Sequence, residues 1–285
     1  MLLHEACVSC IVEQSLKVAK AINADADLTH KLHSRVEELS REFSFSHTPP
    51  QVAAYVYKEM ALIAGMSDLY AKQKRDATLK ALGYIDKLSH RIATSDEKLL
   101  TATKVAVAGN VIDLAAKVEF SLEDELESIF CTPFAIDHFE HFRSALEESK
   151  SVLLLGDNAG EHIFDKLFLQ TIRELYPTKK LYFMSRGAPI INDITYDEAI
   201  SSGLGEVAKV VDSGVDTPGF DYQRATKEAR DLFDSVDLVI SKGMGNYESL
   251  SPTHRGEVCF LLKVKCEVVA RSLGQSVGEI ICKMC

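Results

Sequence analysis

The stretch VLLLGDNAGE (residues 152–161) begins with four apolar residues and continues with a polar segment that contains two glycines. An apolar run of this length is too short for a helix and is typical of a strand buried on both faces of a sheet. Three further short apolar runs follow, at residues 181–184, 207–211 and 238–240, and segments long enough for helices separate them. This alternation predicts an α/β domain whose mainly parallel sheet is covered by helices on both faces.

The chain before residue 149 has a different pattern, which indicates helices. Apolar residues repeat at spacings of three and four, as in the series Leu28, Leu32, Val36, Leu39 and Phe43. Thr48 precedes two prolines and is expected to be the N-cap of another helix. Further helices are expected near residues 70–89, 98–117 and 133–149. The change of pattern divides the chain into an all-helical domain, residues 1–148, with one or two subdomains, and an α/β domain, residues 149–285.

The composition argues against some classes of binding partner. The 285 residues include 32 basic and 42 acidic side chains, for a formal net charge of −10. This balance argues against nucleic-acid binding, which relies on clustered lysine and arginine. No apolar run approaches the length of about 20 residues that spans a bilayer, and the first residues lack the pattern of a signal peptide. We therefore expect a cytoplasmic protein without a membrane or nucleic-acid partner, and the oligomeric state stays open.

Each of the four apolar runs is followed at once by a polar, glycine-containing cluster. The clusters read GDNAGE (residues 156–161), SRGAPIINDIT (185–195), DSGVDTPG (212–219) and SKGMGN (241–246). One such cluster is more often an ordinary turn. In a parallel sheet, however, ligands bind outside the carboxyl ends of the strands, so four clusters together predict a binding site at that edge.

The residue types in these clusters indicate a metal and an anion. Asp157, Asn158 and Asp193 offer the hard oxygen ligands that suit Mg²⁺, Mn²⁺ or a similar ion, although Asp157 and Asn158 could instead cap a helix. Lys242 can act as a point charge for phosphate, and Gly243 allows an anion to approach the backbone closely. The alternative for Lys242 is an ordinary surface lysine. The chain has neither a Walker A sequence nor G-x-G-x-x-G, so nucleotide binding of the usual kinds is not supported.

A metal held by carboxylates beside a lysine is suited to phosphoryl transfer to water, because both cations neutralise charge on the phosphoryl oxygens. The residues leave open whether water attacks directly or whether a carboxyl-phosphate forms on Asp157, Asp193 or Asp216.

At these residues the sequence resembles the damage-control phosphatase family, once catalogued as domain of unknown function 89. GDNAGE, RGAPIIND, SGVDTPG and VISKGMGNYESL carry the resemblance, which extends through TPPQVAAYVYKEM and VAGNVIDLA over nearly the whole chain. The N-terminal C-x-x-C and the Lys265–Cys266 pair resemble the microbial branch.

The resemblance implies a helical domain joined to a Rossmann-like three-layer α/β/α domain. It also implies hydrolysis of small phosphate monoesters, such as sugar phosphates or damaged phosphometabolites, with Mg²⁺, Mn²⁺, Co²⁺ or Ni²⁺. Asp157, Asn158 and Asp193 match metal positions, Asp157 and Asp193 are also catalytic candidates, and Lys242 matches a lysine that contacts phosphate. Further candidates for substrate or phosphate binding are Asn110, Asp113, Glu161, Asp216, Gly243 and Asn246. Asn110 and Asp113 share one helix face, and a structural hydrogen bond is an alternative role for them.

The seven cysteines form a second pattern. Cys7 and Cys10 make one C-x-x-C, and Cys282 and Cys285 make another at the opposite end. These pairs and Cys266 could bind metal, form disulfides or be spectators, whereas Cys131 and Cys259 are expected to be core residues.

Two other functions compete with the phosphatase. One is a non-catalytic sensor that binds a phosphometabolite in the same pocket and uses the terminal cysteines to report redox state or metal. The other is a nucleotide-dependent transferase, which is weakest because no nucleotide motif is present.

Overall fold

The computed structural model describes residues 1–112, 122–251 and 256–285, including all their side chains except those of residues 110–112 and 122–125. The helices in this part are α1 Glu5–Ala21, α2 Ala26–Ser40, α3 Pro49–Ala64, α4 Ala71–Leu82, α5 Ile85–Thr94, α6 Lys98–Ile112, α7 Leu122–Cys131, α8 Phe139–Glu148, α9 Glu161–Leu175, α10 Tyr196–Ser201, α11 Lys227–Ser235, α12 Gly243–Leu250 and α13 Glu267–Leu273. None of the described helices is long and apolar enough to cross a bilayer.

The strands are β1 Ile136–Asp137, β2 Ser151–Leu155, β3 Lys180–Ser185, β4 Lys209–Asp212, β5 Leu238–Lys242, β6 Val258–Lys263 and β7 Ile280–Met284. They form one sheet in the order β1-β7-β6-β5-β2-β3-β4. All neighbouring strands are parallel except β6 and β7, which are antiparallel. The mainly parallel sheet predicted from the sequence is thus confirmed.

The order of the strands decides where the site lies. The chain runs from β2 to β3 and β4 on one side and then returns to place β5 on the other side of β2. The carboxyl ends of β2 and β5 are therefore neighbours at a point where the direction of winding reverses. Such points are the usual ligand sites of open α/β sheets.

Two apolar clusters cover the two faces of the sheet, as expected for three layers. On one face, Leu154 and Ile240 pack with α9 and with helices of the first half, including Phe142 of α8. On the other face, Leu153 and Val239 belong to a cluster that includes residues of α11, α12 and α13. The cluster on the first face contains residues from both sides of the predicted boundary at residues 148 and 149. The division into two domains stays a prediction.

A third apolar cluster joins α1, α2 and α3 and includes Ile190 from the segment after β3. The first half of the chain therefore contributes in two ways, because α1–α3 form their own cluster while later helices cover the sheet. The start of α3 is as predicted, since Thr48 and Gln51 form a capping box.

Several predicted boundaries differ from those of the structure. The helix expected at residues 70–89 is two helices, because the chain turns at Gly83, a poor helix former. The helix expected from residue 133 begins at Phe139, since the backbone before it pairs with β7 as β1. The strand expected at residues 207–211 is β4, which begins at Lys209, because Val207 and Ala208 donate backbone hydrogen bonds to the Leu204 carbonyl.

Candidate active site

Two loops at the carboxyl ends of β2 and β3 are joined by backbone hydrogen bonds. Asn158 and Asp193 form an isolated antiparallel bridge. Beside it, the Ile194 N–H donates to the Asp157 carbonyl at 2.9 Å, and the Ala159 N–H donates to the Asn192 carbonyl at 2.8 Å. The structure therefore brings Asp157, Asn158 and Asp193, the three predicted metal ligands, into one place.

This place concentrates buried negative charge. Asp157, Asn158 and Asp193 are 8%, 7% and 3% exposed. The Asn158 amide donates to the Asp157 carboxylate at 3.0 Å and to Glu161 at 3.4 Å. Burial, and then the charges of Glu161 and Asp193, raise the pKa of Asp157 well above its usual value, while Lys265 and Arg186 oppose the rise. A bound cation would relieve the repulsion between these carboxylates.

The first turn of α12 lies against the same carboxylate. Gly243 has a φ of +76°, and a Cβ at this position would overlap the Asp157 side chain. Only glycine fits this close approach. Met244 and Gly245 continue the turn and line the neighbouring cleft. The N-terminus of α12 thus adjoins the loop after β2, as expected of an anion site.

Arg186 and Asn246, which do not line the cleft, connect the loops through hydrogen bonds. The buried Arg186 donates from Nε to Asp193 at 2.8 Å and from Nη2 to Asn246 at 3.4 Å. The Asn246 amide donates to the carbonyls of Gly156 and Lys242, and its oxygen accepts from the Phe220 N–H. Asn246, a predicted phosphate ligand, is therefore engaged with the backbone and lies outside the cleft lining.

Lys242 is the last residue of β5 and lies in the protein interior. It is fully buried, and its ammonium donates to Glu161 at 2.5 Å, to Asp165 at 2.6 Å and to the Ala106 carbonyl at 2.8 Å. Burial lowers the pKa of Lys242, but Asp165 and Glu161 outweigh it and raise this pKa above its usual value. All three ammonium hydrogens have acceptors, so the structure does not bring this group to the cleft, where a direct phosphate contact was expected.

A cleft of about 460 Å³ opens in front of the joined loops. It is lined by Cys7, Cys10 and Gln14 of α1, by Pro49 and Tyr57 of α3, and by Asp157, Asn158, Asp193, Glu248, Lys265 and Cys266. Burial raises the pKa of Glu248 to about 7, and the N-terminal amino group opposes this rise. Lys265 is the only lysine or arginine among the described residues that line the cleft.

Lys265 is the functional candidate that sequence reasoning missed. The sequence indicates it only as part of a Lys-Cys pair, since β6 is not among the predicted strands. A signal was present, since the apolar run at residues 258–262 is followed by polar residues, as in the other four clusters. Lys265 now provides the positive charge in the cleft that was expected from Lys242.

The remaining predicted residues lie elsewhere. Asp216 is half exposed, pairs with Arg224 and lines an adjoining cavity of about 270 Å³. Asp113 and the side chain of Asn110 fall outside the described residues, so their role in substrate or phosphate binding stays a prediction.

The seven cysteines are free thiols and do not form one group. Cys7, Cys10 and Cys266 line the cleft, whereas Cys282 is buried in β7 with its sulfur 4.0 Å from that of Cys259. The two C-x-x-C pairs are therefore not joined in a four-thiolate zinc site. Cys259 is buried as expected, but the prediction that Cys131 is a core residue is wrong, because it ends α7 and is exposed. Within the described ranges, no group of three or more histidine, cysteine, aspartate or glutamate side chains is arranged to hold a metal ion.

The joined loops fit a hard divalent ion by the chemistry of their donors. Asp157 and Asp193 supply carboxylates, and Asn158 adds an amide oxygen, so the set contains two acidic residues rather than three. Oxygen ligands of this kind suit Mg²⁺ or Mn²⁺, which retain several waters when they bind to proteins. The buried charge around Asp157 favours a cation at the same place.

Comparison with known proteins identifies a family over nearly the whole chain. Residues 3–281 match the family model described as damage-control phosphatase ARMT1-like domain. The chain is 28% identical over 280 residues to the damage-control phosphatase PH1575 of Pyrococcus horikoshii, covering 97% of this chain and 96% of that protein. It is 32% identical over 282 residues to protein MJ0202 of Methanocaldococcus jannaschii, covering 96% of this chain and 92% of that protein.

The fold agrees as well. The crystal structure of a DUF89 family protein from Pyrococcus horikoshii matches with a TM-score of 0.89 and 28% identity, covering 100% of this chain and 99% of that chain. These comparisons favour a phosphatase and do not favour a non-catalytic sensor. With a family match over nearly its full length, the chain belongs to the damage-control phosphatase family and is a phosphatase.

Proposed function

We propose that this phosphatase hydrolyses small phosphate monoesters and requires a divalent metal ion. The observation that carries the proposal is the junction of the loops after β2 and β3, which places Asp157, Asn158 and Asp193 together at the wall of a cleft that also contains Lys265. Acidic and amide oxygens next to a lysine are suited to a metal and a phosphoryl group side by side.

The ion would be held by Asp157, Asn158 and Asp193. When bound, a divalent ion neutralises charge on the phosphoryl oxygens and makes water a better nucleophile. The protein keeps these ligands in place through two further contacts. Arg186 holds the Asp193 carboxylate, and the buried Lys242 holds Glu161, which accepts a hydrogen bond from the Asn158 amide.

The phosphoryl group would be bound between Lys265 and the first turn of α12. Lys265 lines the cleft and would bind the phosphoryl group through its ammonium, and the backbone N–H groups at the start of a helix attract anions. Gly243 allows the Asp157 carboxylate to approach the start of this helix, and Gly245 lines the cleft without a side chain. Lys242 acts in this proposal as a positioning residue and not as a phosphate ligand.

The dimensions of the cleft agree with a small substrate. Its volume of about 460 Å³ lies in the usual range for sites that take small molecules. Its lining mixes apolar residues of α1 and α3 with a few polar groups, so one end of the cleft suits a phosphate and the other suits the rest of a sugar phosphate or a damaged phosphometabolite.

Phosphate release from p-nitrophenyl phosphate would test the proposal directly. The chain is first treated with a chelator and then assayed with Mg²⁺, Mn²⁺, Co²⁺ or Ni²⁺, followed by a panel of sugar phosphates. We expect no turnover after chelation and recovery with at least one ion. Asp193→Asn tests the ligand set, since its amide oxygen can still accept from Arg186 while one anionic ligand is lost. We expect this variant to need a higher metal concentration for activity. Full activity of the chelated enzyme would contradict metal dependence, and full activity of Asp193→Asn at low metal concentration would remove Asp193 from the ligand set.

A further inference from the structure

Ile191 has a backbone conformation that its side chain disfavours. Its φ is +46°, in the left-handed region that L-residues rarely adopt, and it is β-branched. The Asp193 N–H donates to the Ile190 carbonyl at 3.0 Å and so closes a turn in which Ile191 is the first central residue. Turns with a positive φ at this position are dominated by glycine, asparagine and aspartate. An isoleucine there must be held by its surroundings.

The surroundings that hold Ile191 belong to the helical half of the chain. Ile190 is 3% exposed and belongs to the apolar cluster of α1–α3, and Ile191 packs against the same cluster. Ile191 also lines both the cleft and the adjoining cavity, which places its side chain between the two. Apolar contact with α1–α3 thus offsets the unfavourable backbone conformation.

The same turn sets the position of the candidate metal ligands. Asn192 and Asp193 directly follow Ile191, and each contacts the loop after β2: the Asn192 carbonyl accepts from Ala159, and Asp193 pairs with Asn158. If Ile191 left the left-handed region, the turn would open and these contacts would shift.

We propose that Ile191 is a positioning residue that couples the packing of α1–α3 to the geometry of the metal site. Its side chain transmits the contact with α1–α3 to the backbone of Asn192 and Asp193. This inference rests on the proposed function, because it assumes that Asp193 holds a divalent ion.

Three substitutions separate this role from ordinary core packing. Ile191→Ala removes the apolar contact but keeps an L-residue that disfavours a positive φ. Ile191→Gly removes still more of the side chain yet adopts a positive φ freely, and Ile191→Asn tolerates it. Mn²⁺ binding to each purified full chain, measured by electron paramagnetic resonance of the free ion, is the readout, with Tm measured in parallel.

We expect Mn²⁺ binding to Ile191→Ala to be weaker by about tenfold, since a conformation of this kind is readily lost once its support is removed. Binding to Ile191→Gly and Ile191→Asn should stay within about threefold of the wild-type chain, although both lower Tm through the lost apolar contact. If Ile191 served core packing alone, Ile191→Gly would weaken Mn²⁺ binding more than Ile191→Ala, because it removes more of the side chain.

Two outcomes would overturn the inference, and they differ from each other. If the wild-type chain binds Mn²⁺ but Ile191→Gly binds it as weakly as Ile191→Ala, or if all variants bind it like the wild type, Ile191 does not position the ligands. If the wild-type chain does not bind Mn²⁺ or another divalent ion, the proposed function itself fails, and the inference fails with it. Should Ile191→Ala not fold, Ile191→Ser takes its place, since serine also lacks the apolar contact and disfavours a positive φ. Weaker Mn²⁺ binding to Ile191→Ser than to Ile191→Asn supports the inference, and equal binding to both overturns it.

Discussion

Lys242 ends β5 and Lys265 lies two residues after the adjacent strand β6, but their surroundings give them different roles. Lys242 is fully buried against Glu161 and Asp165, whereas Lys265 is partly exposed in the cleft. An ammonium with three buried acceptors stabilises the protein around it, and an ammonium facing solvent is available to a ligand. The two lysines therefore support separate predictions.

We predict that Lys265→Ala raises the KM for a small phosphate monoester by about ten- to a hundredfold, because a hydrogen bond to a charged group contributes about 1.5–3 kcal/mol. The free energy of unfolding should change little, since the side chain is partly exposed. Steady-state kinetics and competitive inhibition by inorganic phosphate measure the effect. Lys263→Ala is the matched control, because Lys263 ends β6, two residues before Lys265, but does not line the cleft. Equal KM values for both variants would remove Lys265 from the phosphate site.

We predict that Lys242→Ala lowers the free energy of unfolding by about 3–5 kcal/mol, because it leaves Glu161 and Asp165 buried without their partner. Urea denaturation measures the loss. Adding Glu161→Gln and Asp165→Asn to the variant should restore much of the stability, since no unpaired charge then remains. If Lys242→Ala is as stable as the wild-type chain but lacks turnover, the lysine contacts the phosphate directly.

At the scale of the elements, the site is formed by the ends of strands and one face of α1. Cys7 and Cys10 lie three residues apart on α1 and both line the cleft. Burial raises the pKa of the Cys7 and Cys266 thiols, which makes them less reactive, whereas Cys10 is exposed. Reaction at Cys10 therefore reports on occupancy of the cleft.

We predict that a bulky maleimide inactivates the enzyme through Cys10 and that a phosphorylated substrate slows the reaction, because the adduct and the substrate compete for the same space. Mass spectrometry of the labelled protein and residual activity are the two measurements. Cys10→Ser should be resistant, whereas Cys131→Ser should remain sensitive, since the exposed Cys131 ends α7 and does not line the cleft. Inactivation of Cys10→Ser at the wild-type rate would contradict the assignment.

At the scale of the whole molecule, stability depends on groups that stay neutral in the interior. His162 of α9 is 1% exposed, and its Nδ1 accepts from the Gly160 N–H at 3.0 Å. Burial lowers its pKa to about 4, with Lys74 acting in the same direction and Glu198 and the Asn158 backbone opposing. Below pH 6.5 the unfolded chain therefore binds a proton that the folded chain does not bind.

We predict that this histidine makes the protein less stable as the pH falls from about 6.5 towards 4. At about 1.4 kcal/mol per pH unit, the contribution reaches at most about 3 kcal/mol. Urea denaturation across this range, for the wild-type chain and for His162→Asn, isolates the effect, because the asparagine oxygen can still accept from Gly160. The variant should lose less stability than the wild-type chain on acidification, and parallel pH profiles would contradict the prediction.

The sequence by itself determined the parallel sheet, its helical cover and the family, and it predicted the three residues that the structure brings together, Asp157, Asn158 and Asp193. These follow from local patterns, since short apolar runs and the polar residues directly after them are read from neighbouring positions. Element boundaries follow less completely from local patterns: β1 forms because its backbone pairs with the distant β7, and this pairing overrides the local preference for a helix.

Only the tertiary structure decided which charged groups reach the cleft. Nothing near Lys242 in the sequence reveals that Glu161 and Asp165, 81 and 77 positions away, bury its ammonium. Likewise, Lys265 becomes a site residue because β6 lies beside β5, and Ile191 takes a left-handed conformation because α1–α3 pack on it. The physical reason is common to all three: burial and ion pairing depend on contacts between segments that are distant in the chain, and such contacts exist only after folding.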